Sequence, residues 1–141
     1  MIKICKEFEW TMGHRLPEHT GLCANPHWHS YKMQVELEGE GIGTMGMVMD
    51  YYELGKIVGE VLDDFNHCFV INENDLIMKE FLEKNNFKKV IIPFDSTAEN
   101  LCNFFAKIIQ NKLSSYTNIK VLTIRLYEAR DTFAECSIRI S

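Results

Sequence analysis

Apolar side chains alternate with polar ones along the N-terminal segment: Ile2, Ile4, Phe8, Trp10 and Met12 occupy even positions, and only Lys6 breaks the series. Successive side chains of a strand point to opposite faces, so this period of two predicts a half-buried β-strand whose apolar face ends at His14. A turn-rich stretch runs from Gly13 to Pro26. The odd positions Tyr31, Met33, Val35 and Leu37 then alternate with Ser30, Lys32, Gln34, Glu36 and Glu38, which predicts a second strand. The glycine-rich run Gly39-Glu40-Gly41-Ile42-Gly43 breaks it.

The period then changes. Asp50 and Glu53 have the spacing of a capping box, and Leu54, Ile57, Val58, Val61, Leu62 and Phe65 follow on one face of a helix. Ser96 and Glu99 repeat the capping pattern ahead of Leu101, Phe104, Phe105, Ile108 and Ile109, a second helix reaching about Leu113. Between them, Asn74 to Lys84 reads as a shorter helix and Val90 to Ile92 as an extended segment stopped by Pro93. Alternation returns after Asn118 at Leu122, Ile124 and Leu126, leading to Glu128, and again at Ala134, Cys136, Ile138 and Ile140. Strand, strand, helix, helix, strand, strand is the order of an α+β fold in which an antiparallel sheet carries helices on one face.

A chain of 141 residues with 46% hydrophobic and 25% charged residues fits one domain, residues 1–141, with no repeat or linker to divide it. No stretch is apolar enough to span a bilayer and the first residues lack a secretory layout, so a cytoplasmic protein without a membrane partner is expected. A formal charge of −5 argues against a nucleic-acid surface and favours a small-molecule partner. Five cysteines without a C-x-x-C pair read as free thiols. Cys5, Cys68, Cys102 and Cys136 fit small buried hydrophobes, while Cys23 lies in a loop.

His27 and His29 are two apart, so a strand puts both imidazoles on one face, and His14 leaves the end of the neighbouring strand on its apolar face. Three histidine nitrogens make three corners of a tetrahedron and leave the fourth open, the arrangement of a catalytic zinc site. Cys23 is close enough in sequence either to fill that corner, closing the site, or to act as a catalytic thiolate. Glu128 ends a run of inward positions, where a carboxylate reaches water or waits for paired N–H donors of a guanidine-like heterocycle. His67, taken alone, is a histidine at a helix C-terminus, and Thr97 and Glu99 are explained first by capping. His19 reads as a loop residue.

Taken together, His14, Cys23-Ala-Asn-Pro-His27-Trp-His29, Gly46-Met47-Val48-Met49-Asp50, Asn66-His67, Ser96-Thr97-Ala98-Glu99-Asn100 and Glu128 resemble the 6-pyruvoyl tetrahydropterin synthase family over nearly the whole chain. The short gap between Cys23 and His27 is more similar to its bacterial 6-carboxytetrahydropterin synthase branch, which serves queuosine (7-deazaguanine) biosynthesis. The resemblance implies a tunnelling fold, with a four-stranded antiparallel sheet carrying two helices on one face. It also implies a homohexamer of two trimers with active sites between subunits. The implied reaction is a zinc-dependent lyase step converting 7,8-dihydroneopterin triphosphate to 6-carboxytetrahydropterin, with loss of triphosphate and acetaldehyde. The other outcomes it leaves open are elimination to 6-pyruvoyl tetrahydropterin, aldolase cleavage of the side chain, or pterin binding without turnover. By the same resemblance His14, His27 and His29 bind zinc, Cys23 accepts a proton, His67 belongs to the proton relay, Glu128 anchors the pterin and joins that relay, and Thr97 neighbours the pterin.

Two positions depart from the family pattern. Asn66 stands where an aspartate usually precedes the relay histidine, and Trp28 replaces the usual glycine between the paired histidines. Alternation predicts that the Trp28 indole points away from the metal, and Asp63 and Asp64 are near enough in sequence to supply the missing charge. Arg15, Lys32 and Arg130 are the candidates for neutralising the triphosphate.

Overall fold

Residues 1–140 are described by a computed structural model, in which alternation in the N-terminal third becomes one long hairpin. Strand β1 (Ile2–His14) pairs antiparallel with β2 (His27–Gly39) in unbroken register from Ile2↔Gly39 to His14↔His27. On its other side β2 pairs with β5 (Ile119–Ala129), and β5 with β6 (Thr132–Arg139), both antiparallel. These four strands are the expected antiparallel sheet. Gly39 sits where β2 crosses the segment entering β5: a Cβ there would lie 2.3 Å from the Asn118 carbonyl oxygen, so no larger residue fits without moving backbone.

The expected shorter helix and extended segment are present at Leu76–Lys84 and Lys89–Ile92, and the sheet has six strands rather than four. A fifth strand, β3 (Cys68–Asn72), joins the free edge of β1 in parallel at Met12↔Cys68 and Gly13↔Phe69, and β4 (Lys89–Ile92) joins β3 in parallel. The sheet order is therefore β4-β3-β1-β2-β5-β6. Helices α1 (Tyr51–Asp63) and α3 (Ala98–Lys112) cover one face, over a core that includes Met12, Tyr31, Met33, Leu54, Val58, Phe105 and Ile124. Helix α2 (Leu76–Lys84) crosses from β3 to β4 and packs on the opposite face, where Met78 and Leu82 meet Phe69 and Ile71. Strand β3 is thus buried on both faces, Cys68 and Val70 toward α1 and α3, Phe69 and Ile71 toward α2. That is why Cys68-Phe69-Val70-Ile71 shows no alternation and is not read as a half-buried strand.

The caps explain the helix starts. Asp50 accepts the Tyr52 N–H at 2.8 Å at the head of α1, but Glu53 accepts from the Tyr116 hydroxyl rather than closing the capping box. Thr97, not Ser96, caps α3, accepting the Asn100 N–H at 3.2 Å. At the end of α1, Lys88 Nζ donates to the carbonyl oxygens of Asp63 and Asn66 at 2.7 and 2.6 Å, satisfying acceptors the helix leaves open. Cys68 and Cys102 are buried as expected and Cys136 partly so, whereas Cys5 is exposed, because it lies on the outward face of β1. No helix is long and apolar enough to cross a membrane.

Candidate metal centre

The register of the β1–β2 hairpin makes His14 and His27 direct cross-strand partners, and His29 stands opposite Met12 on the same face. Ring centroids are 4.6 Å apart for His14–His27, 5.1 Å for His14–His29 and 4.8 Å for His27–His29. One nitrogen from each ring lies within 4.8 Å of the others. Nitrogens around a tetrahedral zinc with bonds of ~2.1 Å are roughly 3.4 Å apart, so side-chain rotations of about an ångström close the triangle on one ion.

Two of the outer nitrogens are already committed. His14 Nδ1 lies 2.9 Å from the Ser96 carbonyl oxygen and 3.0 Å from its hydroxyl. A carbonyl only accepts, so Nδ1 carries hydrogen and Nε2 is left for a metal. His27 Nδ1 is held in the same way by the Asn25 carbonyl at 2.7 Å, and its Nε2 is buried with no hydrogen-bond partner. A buried imidazole nitrogen left unpaired among two other imidazoles is suited to binding a cation. Burial pushes the pKa of His14 down to about 4, with His27 and His29 adding to the effect and the Ser96 carbonyl opposing it. His29 is lowered by burial and by His27. At His14 and His29 these shifts favour the neutral ring, the ordinary ligand form of histidine. Ser96→Ala is expected to weaken metal affinity about tenfold while leaving the fold intact, since the backbone carbonyl still orients His14; competition with a chromophoric chelator measures it.

Trp28 points to the other face, as alternation requires, and packs edge-on against Phe69 with centroids 6.2 Å apart. Its partner across the hairpin is Gly13, where a Cβ would lie 2.9 Å from the indole and 2.8 Å from Phe69. The missing side chain makes room for Trp28. With Pro26, Phe69, Phe81, Phe87 and His67, Trp28 lines an apolar cleft of about 710 Å³ beside α2.

The other sequence-derived site residues are not all gathered at the histidines. Cys23 lies half-buried in a 3-10 turn, Leu22–Ala24, and is not part of the metal-capable group, which consists of the three histidines alone among the described residues. Glu128 is on the metal face of β5, half-buried, with Oε1 unpartnered. Burial raises its pKa, Glu99 adds to the rise, and the nearby His27 opposes it. It shares a cavity of about 300 Å³ with Ala98, Glu99 and Phe133, at the start of the helix that Thr97 caps. His67 is exposed and bonded through Nδ1 to Asn66 Oδ1 at 2.9 Å, so its partner is Asn66 rather than the carboxylate of Asp63 or Asp64.

Arg15 is spoken for: Nε and Nη2 each donate to the buried Asp75 carboxylate at 2.7 Å, and Nη1 reaches the Ala24 carbonyl at 3.4 Å. It pins the loop carrying Cys23 to the head of α2 and is removed as a triphosphate ligand. Arg130 and Lys32, the latter 3.6 Å from Glu7 Oε2 and 4.4 Å from the Tyr127 ring centroid, line with His67 and Glu9 a second cleft of about 520 Å³. Sequence reading missed two residues. Ser96 was absorbed into a helix cap, and Tyr31, counted as an apolar position, continues the 27, 29, 31 face with a buried, unpartnered hydroxyl 5.5 Å ring-to-ring from His29. The run of His, His and Tyr at period two was the available signal for Tyr31.

Comparison with known proteins bears on this geometry. A sequence profile of the family described as 6-pyruvoyl tetrahydropterin synthase matches residues 3–138. The chain is 37% identical over 142 aligned residues to the 6-carboxy-5,6,7,8-tetrahydropterin synthase of Haemophilus influenzae, covering 96% of this chain and 98% of that one. It is 28% identical to the Rickettsia conorii protein of the same name, covering 96% and 99%. The fold is similar to that of the 6-pyruvoyl tetrahydropterin synthases of Plasmodium falciparum (TM-score 0.77, 17% identity, 98% of each chain) and Caenorhabditis elegans (TM-score 0.68, 24% identity, 98% and 94%).

Proposed function

This chain belongs to the 6-pyruvoyl tetrahydropterin synthase family, and from that membership we propose that it is a 6-carboxy-5,6,7,8-tetrahydropterin synthase acting on 7,8-dihydroneopterin triphosphate. The observation that carries the reading is the triangle of His14, His27 and His29, with the Nδ1 atoms of His14 and His27 tied to carbonyl oxygens, one nitrogen of each ring converging, and no sulfur in the group. Such a set suits zinc with one position open for substrate. Zinc bound there supplies Lewis-acid polarisation of the oxygen functions on the substrate side chain.

The protein's own groups supply the rest. Cys23, as thiolate, accepts a carbon-bound proton of the side chain, and His67 passes the proton on. Glu128 accepts paired N–H donors of the pterin ring; its unpartnered Oε1 and raised pKa fit a carboxylate that lacks its donors. Thr97, at the head of α3 beside the Glu128 cavity, lies against the ring. Lys32 and Arg130 are the cations proposed to neutralise the triphosphate.

His67 lines a cleft with Trp28, on the face away from the metal histidines. A complete site is therefore proposed to form between subunits of a homo-oligomer, a hexamer of two trimers, in the cytoplasm. Open sheet edges support assembly: among the described residues β6 at one end of the sheet pairs only with β5 and β4 at the other only with β3, and β1 pairs with β3 only at Met12 and Gly13. An edge of each kind on every copy allows head-to-tail pairing that closes into a ring.

Incubating the protein with dihydroneopterin triphosphate and identifying products by mass tests the reading. The expected products are 6-carboxytetrahydropterin, triphosphate and acetaldehyde, all lost on chelation and restored by zinc. A 6-pyruvoyl product or a cleaved side chain would reassign the reaction within the family. No turnover with zinc bound would reject catalysis.

A further inference from the structure

The turn between α1 and β3 holds Asn66 and His67 in an arrangement that ending a helix does not require. His67 has a backbone φ of 61°, the left-handed region that is strained for a residue with a Cβ. Its N–H donates to the Thr11 carbonyl at 2.8 Å, and the Thr11 N–H in turn donates to Asn66 Oδ1 at 3.3 Å. Both backbone groups of one β1 residue thus hold the turn to the sheet. A backbone N–H can only donate, so the carboxamide atom facing it is the oxygen; the amide nitrogen there would set donor against donor at Thr11. That same oxygen lies 2.9 Å from His67 Nδ1. The hydrogen between them must come from the ring, which leaves Nε2 as the atom that gains or loses a proton.

We propose that Asn66 is a positioning residue that locks His67 into its Nδ1–H tautomer and presents an unprotonated Nε2 as proton acceptor. The pterin synthase reading supplies only what that acceptor serves; the lock follows from the Thr11, Asn66 and His67 geometry. An aspartate would hold the same tautomer but add a negative charge that favours the imidazolium, whereas asparagine orients the ring without charging it. The charged groups that line the two clefts beside His67 are Glu9 of β1, Lys32 of β2, Lys88 ahead of β4 and Arg130 after β5.

Long-range proton–nitrogen correlation NMR on the full-length protein reads the tautomer directly, with His67 assigned by comparison with His67→Gln. The expected spectrum is Nδ1–H in the wild type, a shift toward Nε2–H in Asn66→Ala, and a return to Nδ1–H in Asn66→Asp. In turnover, Asn66→Ala is expected to lower kcat about tenfold or more with KM little changed, and Asn66→Asp to restore kcat with the His67-dependent limb moved to higher pH. A wild-type Nε2–H tautomer, or an unaltered spectrum in Asn66→Ala, overturns the proposal. Should Asn66→Ala fail to fold, the wild-type and Asn66→Asp spectra decide it. Wild-type protein with the Nδ1–H spectrum but no turnover would overturn the synthase reading instead and leave the lock standing.

Discussion

His27→Ala is expected to remove the bound metal and to lower turnover by about a thousandfold or more, because both depend on the same nitrogen. His27 Nε2 is buried without a partner, so in the free protein it carries an unmet requirement that a cation fills. Two remaining imidazoles hold an ion far less tightly than three, and the ring's other contact, Nδ1 to the Asn25 carbonyl, ties down only the local loop. The fold should survive: His27 is half-buried at the end of the hairpin, away from the Trp10, Phe105 and Phe65 rings of the core. Metal content by atomic emission, circular dichroism and turnover should then separate cleanly. A folded His27→Ala protein that keeps one metal per chain and full activity would sink the centre described here.

Cys23→Ala is expected to lower turnover by on the order of a hundredfold to ten-thousandfold while metal content stays unchanged. The two effects divide because the metal-capable group contains the three histidines and not Cys23, which sits in the short turn behind them. Arg15 holds that turn through the Ala24 carbonyl and the Asp75 carboxylate, so loss of one thiol does not release the loop. Metal lost along with activity would show sulfur in the fourth position, and the site would then be closed and structural.

The main elements of the sheet and its two larger helices were legible because half-buried elements expose one face to water and leave a period in the sequence. Ile4, Phe8, Trp10 and Met12 in one strand and Tyr31, Met33, Val35 and Leu37 in the next lie on the covered face, as their spacing predicts. The same rule separated His27 and His29 from Trp28. It failed where burial is two-sided, at β3, and where a polar side chain is captured from far away. Ser96 has the spacing of a helix cap but is turned toward His14, 82 residues earlier in the chain, and the cap passes to Thr97. Arg15 has the charge to bind phosphate, yet Asp75 occupies it from 60 residues away.

Local order along the chain determined the period of each main strand and the two larger helices, the face on which each histidine lies, and the residue types able to hold a metal. All of these follow from backbone geometry that repeats every two or every 3.6 residues. Tertiary structure decided which distant groups complete them: the register that sets His14 opposite His27, the Ser96 and Asn25 carbonyls that fix the rings, the Asp75 that claims Arg15, and the Thr11 amide that orients Asn66. Hydrogen bonds and ion pairs depend on distances of a few ångströms in space, and separation along the chain does not encode them.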